Sequence, residues 1–206
     1  MKTISQIFSK TDLGGIGLLA FPDQKDFLIS ELKNRFNINL GSLSLSKGPA
    51  FYGDLLYLPD KAAFLQSSGG KFPYWARTCM TEPFILKFDS IGEAAGALKA
   101  IQRNWAPYQF TCFRRAQLIQ EKLPYINLKE RAFPVKIPNS AIGLYTLIDE
   151  HTMIASAATT SVLPAGTLRF IEDHENPPSR AYLKIQESLT LADLFFSCGL
   201  PGPGQK

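Results

Sequence analysis

Residues 17–36, GLLAFPDQKDFLISELKNRF, decide the fold of the first part of the chain. The apolar run from Gly17 to Phe21 stops at Pro22, which is typical of a short buried strand. Asp23 is a candidate N-cap for a helix. Apolar residues then recur at helical spacing: Phe27, Leu28, Leu32 and Phe36. The stretch predicts a strand followed directly by an amphipathic helix.

Alternating apolar residues follow this helix. They are Ile38, Leu40, Leu43 and Leu45, and after the Gly48–Pro49 pair come Phe51 and the run Leu55 to Leu58. This pattern predicts two strands joined by a turn at Gly48–Pro49. An order of strand, helix, strand and strand is typical of an α+β layer with helices on one face of an antiparallel sheet.

A similar order of elements continues from residue 84. The predicted strands are Phe84 to Phe88, Tyr108 to Phe113, and a hairpin of Ile142 to Ile148 with Met153 to Ala157. The predicted helices are Ile91 to Ile101, capped by Ser90, and Arg114 to Lys122. After a charged linker over residues 172–178, Asn176 as N-cap and Pro177 as first helical residue predict a last helix, from Pro177 to Leu191.

The predicted fold class is therefore α+β: two small sheets with helices on one face, of the ferredoxin-like or THUMP-like kind, followed by a C-terminal helix. We place a first domain at residues 1–85 and a second at residues 86–172. Residues 173–206 form a tail with the last helix.

Composition narrows the class of protein. The chain of 206 residues is 45% hydrophobic and carries a net charge of +4, as expected of a globular protein that can bury a core. Three cysteines without a CxxC pair, and two histidines without a second ligand at metal-binding spacing, favour neither a disulfide framework nor a metal site. Because no signal peptide or long apolar stretch is present, we expect a cytoplasmic protein without a membrane partner.

A glycine motif near the start formally matches a dinucleotide-binding fingerprint. Gly15-Ile-Gly17-Leu-Leu-Ala20 has the G-x-G-x-x-A spacing, but that fingerprint needs a strand before the glycines and a helix after them. Here the apolar run follows the glycines and ends at a proline. We interpret the motif as a loop leading into a strand, and we predict no cofactor-binding residues in the chain.

Positive charge is concentrated in the middle of the chain. From Lys99 to Lys136 there are eight lysine and arginine residues against two glutamates, with six aromatic residues interleaved. Basic side chains that neutralise phosphates, next to aromatic rings that can stack, suit contact with RNA. A solvated face over a phenylalanine-rich core explains the same composition, and the sequence leaves both interpretations open.

The most specific motif lies near the C-terminus. Pro177-Pro-Ser-Arg-Ala-Tyr-Leu-Lys184 precedes the last helix and then Pro201-Gly-Pro-Gly-Gln-Lys206. This arrangement resembles the entry to the catalytic domain of FtsJ-like, S-adenosylmethionine-dependent RNA 2′-O-ribose methyltransferases, and it looks closest to the large-subunit ribosomal RNA methyltransferase M type. The strong match covers about thirty residues. Ser179, Arg180 and Lys184 have the spacing of that family.

The resemblance implies a role for Lys184 as the first member of a catalytic Lys-Asp-Lys-Glu set. The glycine-rich cofactor loop of the family is expected only after Lys206. We therefore expect this chain to be the N-terminal, RNA-recognising part of such an enzyme, with residues 173–206 as the linker and first helix of a truncated methyltransferase domain. The parent enzyme would use S-adenosylmethionine, and this chain alone would bind none and be inactive.

The resemblance and the charge pattern together give a set of candidate RNA-binding residues: Arg77, Arg114, Arg115, Lys129, Arg131 and Arg180. The expected partner is RNA, ribosomal RNA in particular. The alternative from another class is a stand-alone RNA-binding or protein-interaction module without catalytic activity.

Overall fold

The computed structural model describes residues 9–40, 50–137, 139–177, 179 and 181–196, with residues 195 and 196 described by their backbone only. These residues contain nine strands: β1 (Ser9–Asp12), β2 (Ile16–Ala20), β3 (Ala50–Tyr52), β4 (Leu55–Leu58), β5 (Ala76–Met80), β6 (Phe84–Lys87), β7 (Trp105–Pro107), β8 (Gly143–Leu147) and β9 (Thr152–Ser156). They also contain five α-helices: α1 (Lys25–Phe36), α2 (Lys61–Ser68), α3 (Ile91–Ile101), α4 (Phe113–Lys122) and α5 (Tyr182–Phe196).

Contacts between residues divide the chain into two compact units. The first comprises residues 1–126 and 141–166, and the second comprises residues 127–140 and 167–206. All nine strands and helices α1 to α4 belong to the first unit, and α5 belongs to the second. The predicted boundary between residues 85 and 86 falls inside the first unit. The division into domains at residues 1–85, 86–172 and 173–206 stays a prediction.

One sheet of the first unit is fully antiparallel, with strand order β3-β4-β2-β5. Its chain order of strand, helix, two strands, helix and strand is the split arrangement of ferredoxin-like folds. Helices α1 and α2 pack on one face and bury a cluster that includes Leu18, Leu28, Leu32, Leu56 and Phe64. Alternation along each strand sends the other side chains to the opposite face.

The other sheet is mixed, with strand order β1-β6-β9-β8-β7. Strands β7 and β8 run parallel, and the remaining neighbours are antiparallel. Helices α3 and α4 cover one face around the fully buried Trp105, whose indole Nε1 donates to the carbonyl oxygens of Leu98 at 2.9 Å and Gln102 at 3.0 Å.

The two sheets face each other through a third apolar cluster. Leu19, Leu55 and Met80 come from the antiparallel sheet, and Leu144 and Ile154 come from the mixed one. The first unit therefore has four layers, with each sheet covered by its helices on the outside. Because both sheet faces are covered, every residue of β2, β4 and β8 is buried, and all but Thr146 of β8 are apolar, aromatic or glycine.

The α+β class with two small sheets, helices on one face of each and a C-terminal helix is confirmed. The predicted helix Ile91 to Ile101 is found with its cap, because the Ser90 hydroxyl accepts a hydrogen bond from the Glu93 N–H at 3.1 Å. The basic helix is also confirmed, as α4.

Two local predictions in the first unit are wrong, and a third is only partly covered by the described residues. Asp23 is not the N-cap of α1: it has φ of 61°, and Gln24 takes that position without a side-chain cap bond. The strand predicted at Tyr108 to Phe113 lies earlier, as β7, because the chain turns into α4 at Cys112 with φ of 49°. The predicted turn at Gly48–Pro49 lies outside the described residues. Phe51 and the run Leu55 to Leu58, predicted as one strand after that turn, instead belong to two strands, β3 and β4, which pair as a hairpin.

The last helix also begins later than predicted. Asn176 is not its N-cap, because the Asp173 carboxylate accepts the backbone N–H groups of Glu175 and Asn176 at 2.9 and 3.0 Å and holds them in a turn. The helix starts at Tyr182. Ile185, in the first turn of this helix, is exposed although it is apolar.

Candidate nucleic-acid interface

The two predicted arginines of α4 have different surroundings. Arg114 is exposed on the outer face of the helix. Arg115 is half-buried: its guanidinium carbon lies 5.6 Å from the centroid of the Phe88 ring, and its Nη2 donates to the Asp89 carbonyl oxygen at 3.3 Å. Arg115 therefore holds α4 against the end of β6, while Arg114 is available to a ligand.

Arg77 lies in β5 and is half-buried. Its guanidinium carbon is 5.7 Å from the centroid of the Tyr108 ring, which stacks on Phe110 at 6.1 Å between centroids. The Tyr108 hydroxyl accepts the backbone N–H of Asp54 at 2.6 Å, and burial raises the pKa of that hydroxyl. The structure thus brings Arg77 to Tyr108, but this ring is buried and offers no open face to a ligand.

Four predicted residues belong to the second unit, and three of them are described. Lys129 is exposed in a loop. The backbone of Arg131 pairs with the segment around Phe170: its N–H donates to the Arg169 carbonyl oxygen at 2.9 Å, and its carbonyl oxygen accepts from Ile171 at 3.0 Å. Lys184 is exposed in the first turn of α5. Arg180 lies outside the described residues.

An exposed aromatic surface in the first unit is the main feature that the sequence did not predict. Phe27, expected on the buried face of α1, is 53% exposed and stacks on Trp75 with 4.8 Å between ring centroids and 25° between planes. Tyr74, next to Trp75, is 77% exposed. We call the three rings, with Glu31 and Arg35 beneath them, the aromatic platform.

A carboxylate holds the platform together. Glu31 Oε1 accepts the backbone N–H of Tyr74 at 3.0 Å, and Oε2 accepts that of Trp75 at 3.1 Å. Arg35 forms an ion pair with Glu31, and its guanidinium carbon lies 4.0 Å from the centroid of the Tyr74 ring. Tyr74 and Trp75 are therefore both fixed through their backbone, and the Tyr74 ring is also held by the guanidinium stack.

The helical period contains a signal for this surface. Phe27, Glu31 and Arg35 follow one another at intervals of four and so share one face of α1, beside the buried face of Leu28 and Leu32. An aromatic residue in line with a Glu–Arg pair indicates an exposed face. Its partners, Tyr74 and Trp75, are distant in sequence, and only the fold brings them there.

The polar cavity beside β1 is a weaker candidate site. Lys10, Asp12, Lys61 and Glu82 are among its lining residues. Lys10 is paired with Asp12, and the Lys61 ammonium group donates to the Thr81 carbonyl oxygen at 2.7 Å. Both lysines already have partners within the protein, so the cavity does not present an open cationic site.

The glycine motif does not form a cofactor loop. Gly15 leads into β2, and a side chain at this position would meet the Leu58 carbonyl oxygen and lie 2.6 Å from the Tyr57 hydroxyl. The glycine is therefore required by the protein's own packing. In the described part of the chain, no group of three His, Cys, Asp or Glu side chains is placed to hold a metal ion, and no helix there has the length and apolar character needed to cross a bilayer.

In the described residues, the candidate interface offers stacked rings, one clamped carboxylate and exposed cations. Comparison of the chain with family models, curated proteins and solved structures gives no match.

Proposed function

We propose that this chain is the RNA-recognition part of an S-adenosylmethionine-dependent RNA 2′-O-ribose methyltransferase that acts on ribosomal RNA in the cytoplasm. The observation that carries RNA recognition is the outer face of α4, where Arg114 is exposed within the most basic stretch of the chain. Cations on an outer helix face can neutralise phosphates at little cost in desolvation. The reaction class rests on the resemblance of residues 177–184.

The placement of Lys184 supports this reaction class. The family pattern has a lysine five residues after Ser179 and a helix directly after the motif, and α5 begins at Tyr182 with Lys184 exposed in its first turn. A ribose hydroxyl is a poor nucleophile until its proton is accepted. An amine on an accessible helix face can take part in that proton transfer once the remaining catalytic groups are present.

S-adenosylmethionine supplies the methyl group in such an enzyme, but the described residues do not fit it. Their one fingerprint-like glycine motif enters a strand and is packed against Tyr57. We therefore expect calorimetric titration of this chain with S-adenosylmethionine to show no heat of binding. Micromolar affinity would contradict the assignment of the cofactor site to another part of the enzyme.

The test of RNA recognition is the dependence of RNA affinity on salt. A fluorescein-labelled fragment of ribosomal RNA is titrated with the chain at several salt concentrations, and affinity is read from anisotropy. Because one phosphate contact contributes about one unit to the slope of log K against log salt, Arg114→Ala should reduce the magnitude of that slope by about one. Lys87→Ala, which removes an exposed cation at the end of β6, is the matched control.

Equal slopes for the wild type and both variants would contradict phosphate contact by Arg114. Absence of RNA binding by the wild type would contradict the proposed function as a whole.

The rival function is a stand-alone RNA-binding or protein-interaction module. It is distinguished by mapping the 2′-O-methyl groups of ribosomal RNA, which protect the backbone from alkaline hydrolysis, in cells with and without the gene. We expect one methyl group to be lost on deletion. An unchanged methylation map in cells whose ribosomal RNA binds the chain would favour the rival.

A further inference from the structure

We infer that the aromatic platform binds unpaired bases of a single-stranded RNA segment by stacking. This inference rests on the proposed function and names the form of RNA that the chain selects. It is carried by the contacts that fix Tyr74 and Trp75 while leaving 77% and 38% of their surfaces exposed.

The first step is that specific contacts hold the rings of Tyr74 and Trp75 in an exposed position. Isolated surface aromatics are ordinary in proteins, but here two successive backbone N–H groups are held by one carboxylate whose side chain is only 7% exposed. Glu31 of α1 thus holds the backbone of Tyr74 and Trp75 so that both rings remain exposed to solvent. Rings with few rotatable bonds, already fixed, lose little conformational entropy when a ligand stacks on them.

The second step is the geometry of the stacks. Phe27 and Trp75 lie nearly parallel, and the Arg35 guanidinium packs against the Tyr74 ring. Each stack is supported on one side by a protein group, and a flat ligand can extend it on the other. Every nucleobase has a π face of suitable size, and the aromatic side chains of single-strand binders use this interaction.

The third step is charge. The Glu31 carboxylate is turned inward with both oxygens bonded, while the Arg35 side chain keeps 30% of its surface exposed. Although the Glu31–Arg35 ion pair is neutral overall, its positive partner is the more solvent-accessible one, in a chain with net charge +4. That sign suits the phosphates that join successive bases. In a duplex, the base faces are already stacked and unavailable to the platform.

The protein contains a built-in reporter for this contact. Of its two tryptophans, Trp105 is fully buried and Trp75 is on the platform. A base that stacks on Trp75 should quench its emission, and Trp75→Phe should abolish the quenching while the Trp105 emission remains. The ligands for the titration are a 12-nucleotide oligouridylate and the same strand annealed to oligoadenylate.

We expect the single strand to quench the emission and the duplex to leave it unchanged. Tyr74→Ala should weaken oligouridylate binding at least fivefold, in line with the loss of one base–aromatic stack, and should lower the melting temperature by only a few degrees, through loss of the Arg35 stack. Phe51→Ala is the matched control, because Phe51 is 40% exposed in β3, at the opposite edge of the sheet from β5 and outside the basic stretch; it should bind as the wild type does.

The outcomes separate this inference from the proposed function. If the wild type binds ribosomal RNA by anisotropy but shows neither quenching nor an effect of Tyr74→Ala, the platform is not a base-stacking site, a protein partner becomes its better occupant, and the proposed function stands. If no RNA of any form binds, both fail. Preference for the duplex with unchanged Trp75 emission would also overturn the inference.

Discussion

Replacing Glu31 with alanine is expected to lower the free energy of unfolding by about 2–3 kcal/mol. The substitution removes two hydrogen bonds to a carboxylate, from the N–H groups of Tyr74 at 3.0 Å and Trp75 at 3.1 Å. Bonds to charged groups contribute roughly 1.5–3 kcal/mol each. The expected loss lies at or below the lower end of the summed range of about 3–6 kcal/mol, because both residues are exposed and water can rehydrate their N–H groups.

Urea denaturation followed by circular dichroism measures this loss, and thermal melting should show a decrease of about 4–12 °C in Tm. Glu31→Gln keeps one acceptor oxygen and should lose roughly half as much stability. The matched control is Glu121→Ala in α4, where the carboxylate accepts a single bond from Gln117 at 3.2 Å; its expected loss is below about 0.5 kcal/mol. Equal losses for Glu31→Ala and Glu121→Ala would refute the role of the carboxylate clamp.

Three further substitutions test other parts of the structure. Gly53→Ala should destabilise by roughly 2–4 kcal/mol in urea denaturation, because the residue has φ of +63° and a Cβ would clash with the Tyr108 hydroxyl and lie 2.7 Å from Phe110. Arg115→Ala should cost about 0.5–1.5 kcal/mol by the same assay, through loss of packing on Phe88. Burial raises the pKa of the Cys79 thiol from 9.0 to about 12. As the pH rises, the thiol therefore loses its proton in the unfolded chain before it does so in the folded one. The free energy of unfolding should therefore fall between pH 9 and 12, and denaturation at pH 8 and 10.5 should show a shallower fall for Cys79→Ala.

The elements that the sequence predicted well are those whose signals are local. Helix α3 has an apolar face and a serine cap within a dozen residues, and the β8–β9 hairpin has its turn between two apolar runs. Strand β1 has no such signal. Its sequence SKTD is polar, and it exists because Ser9 to Asp12 pair with β6, which lies far along the chain.

The aromatic platform could not be predicted for a related reason. Helical periodicity correctly placed Leu28 and Leu32 inside, but Phe27 is only one residue from Leu28 and lies at the border of that face. Whether such a residue is covered depends on what packs beside α1. The answer is Trp75, whose position is set by the start of β5 and by Glu31.

The predicted site residues differ in exposure: some are accessible to a ligand, and others pack against the protein's own rings. Arg114, Lys129 and Lys184 are exposed, as a binding role requires. Arg77 and Arg115 are half-buried against aromatic rings. Charge spacing in a sequence does not distinguish a guanidinium that binds phosphate from one that packs on a phenylalanine.

Photo-crosslinking is the most direct test of the claim that this chain recognises RNA through exposed cations and stacked rings. RNA substituted with 4-thiouridine is irradiated with the chain, and trypsin releases residues 72–77, which contain Tyr74 and Trp75 between Lys71 and Arg77. We predict that mass spectrometry finds nucleotide adducts on this peptide and that unlabelled single-stranded RNA competes them away. RNA bound by the chain but cross-linked only to other peptides, or no RNA bound at all, would contradict the claim.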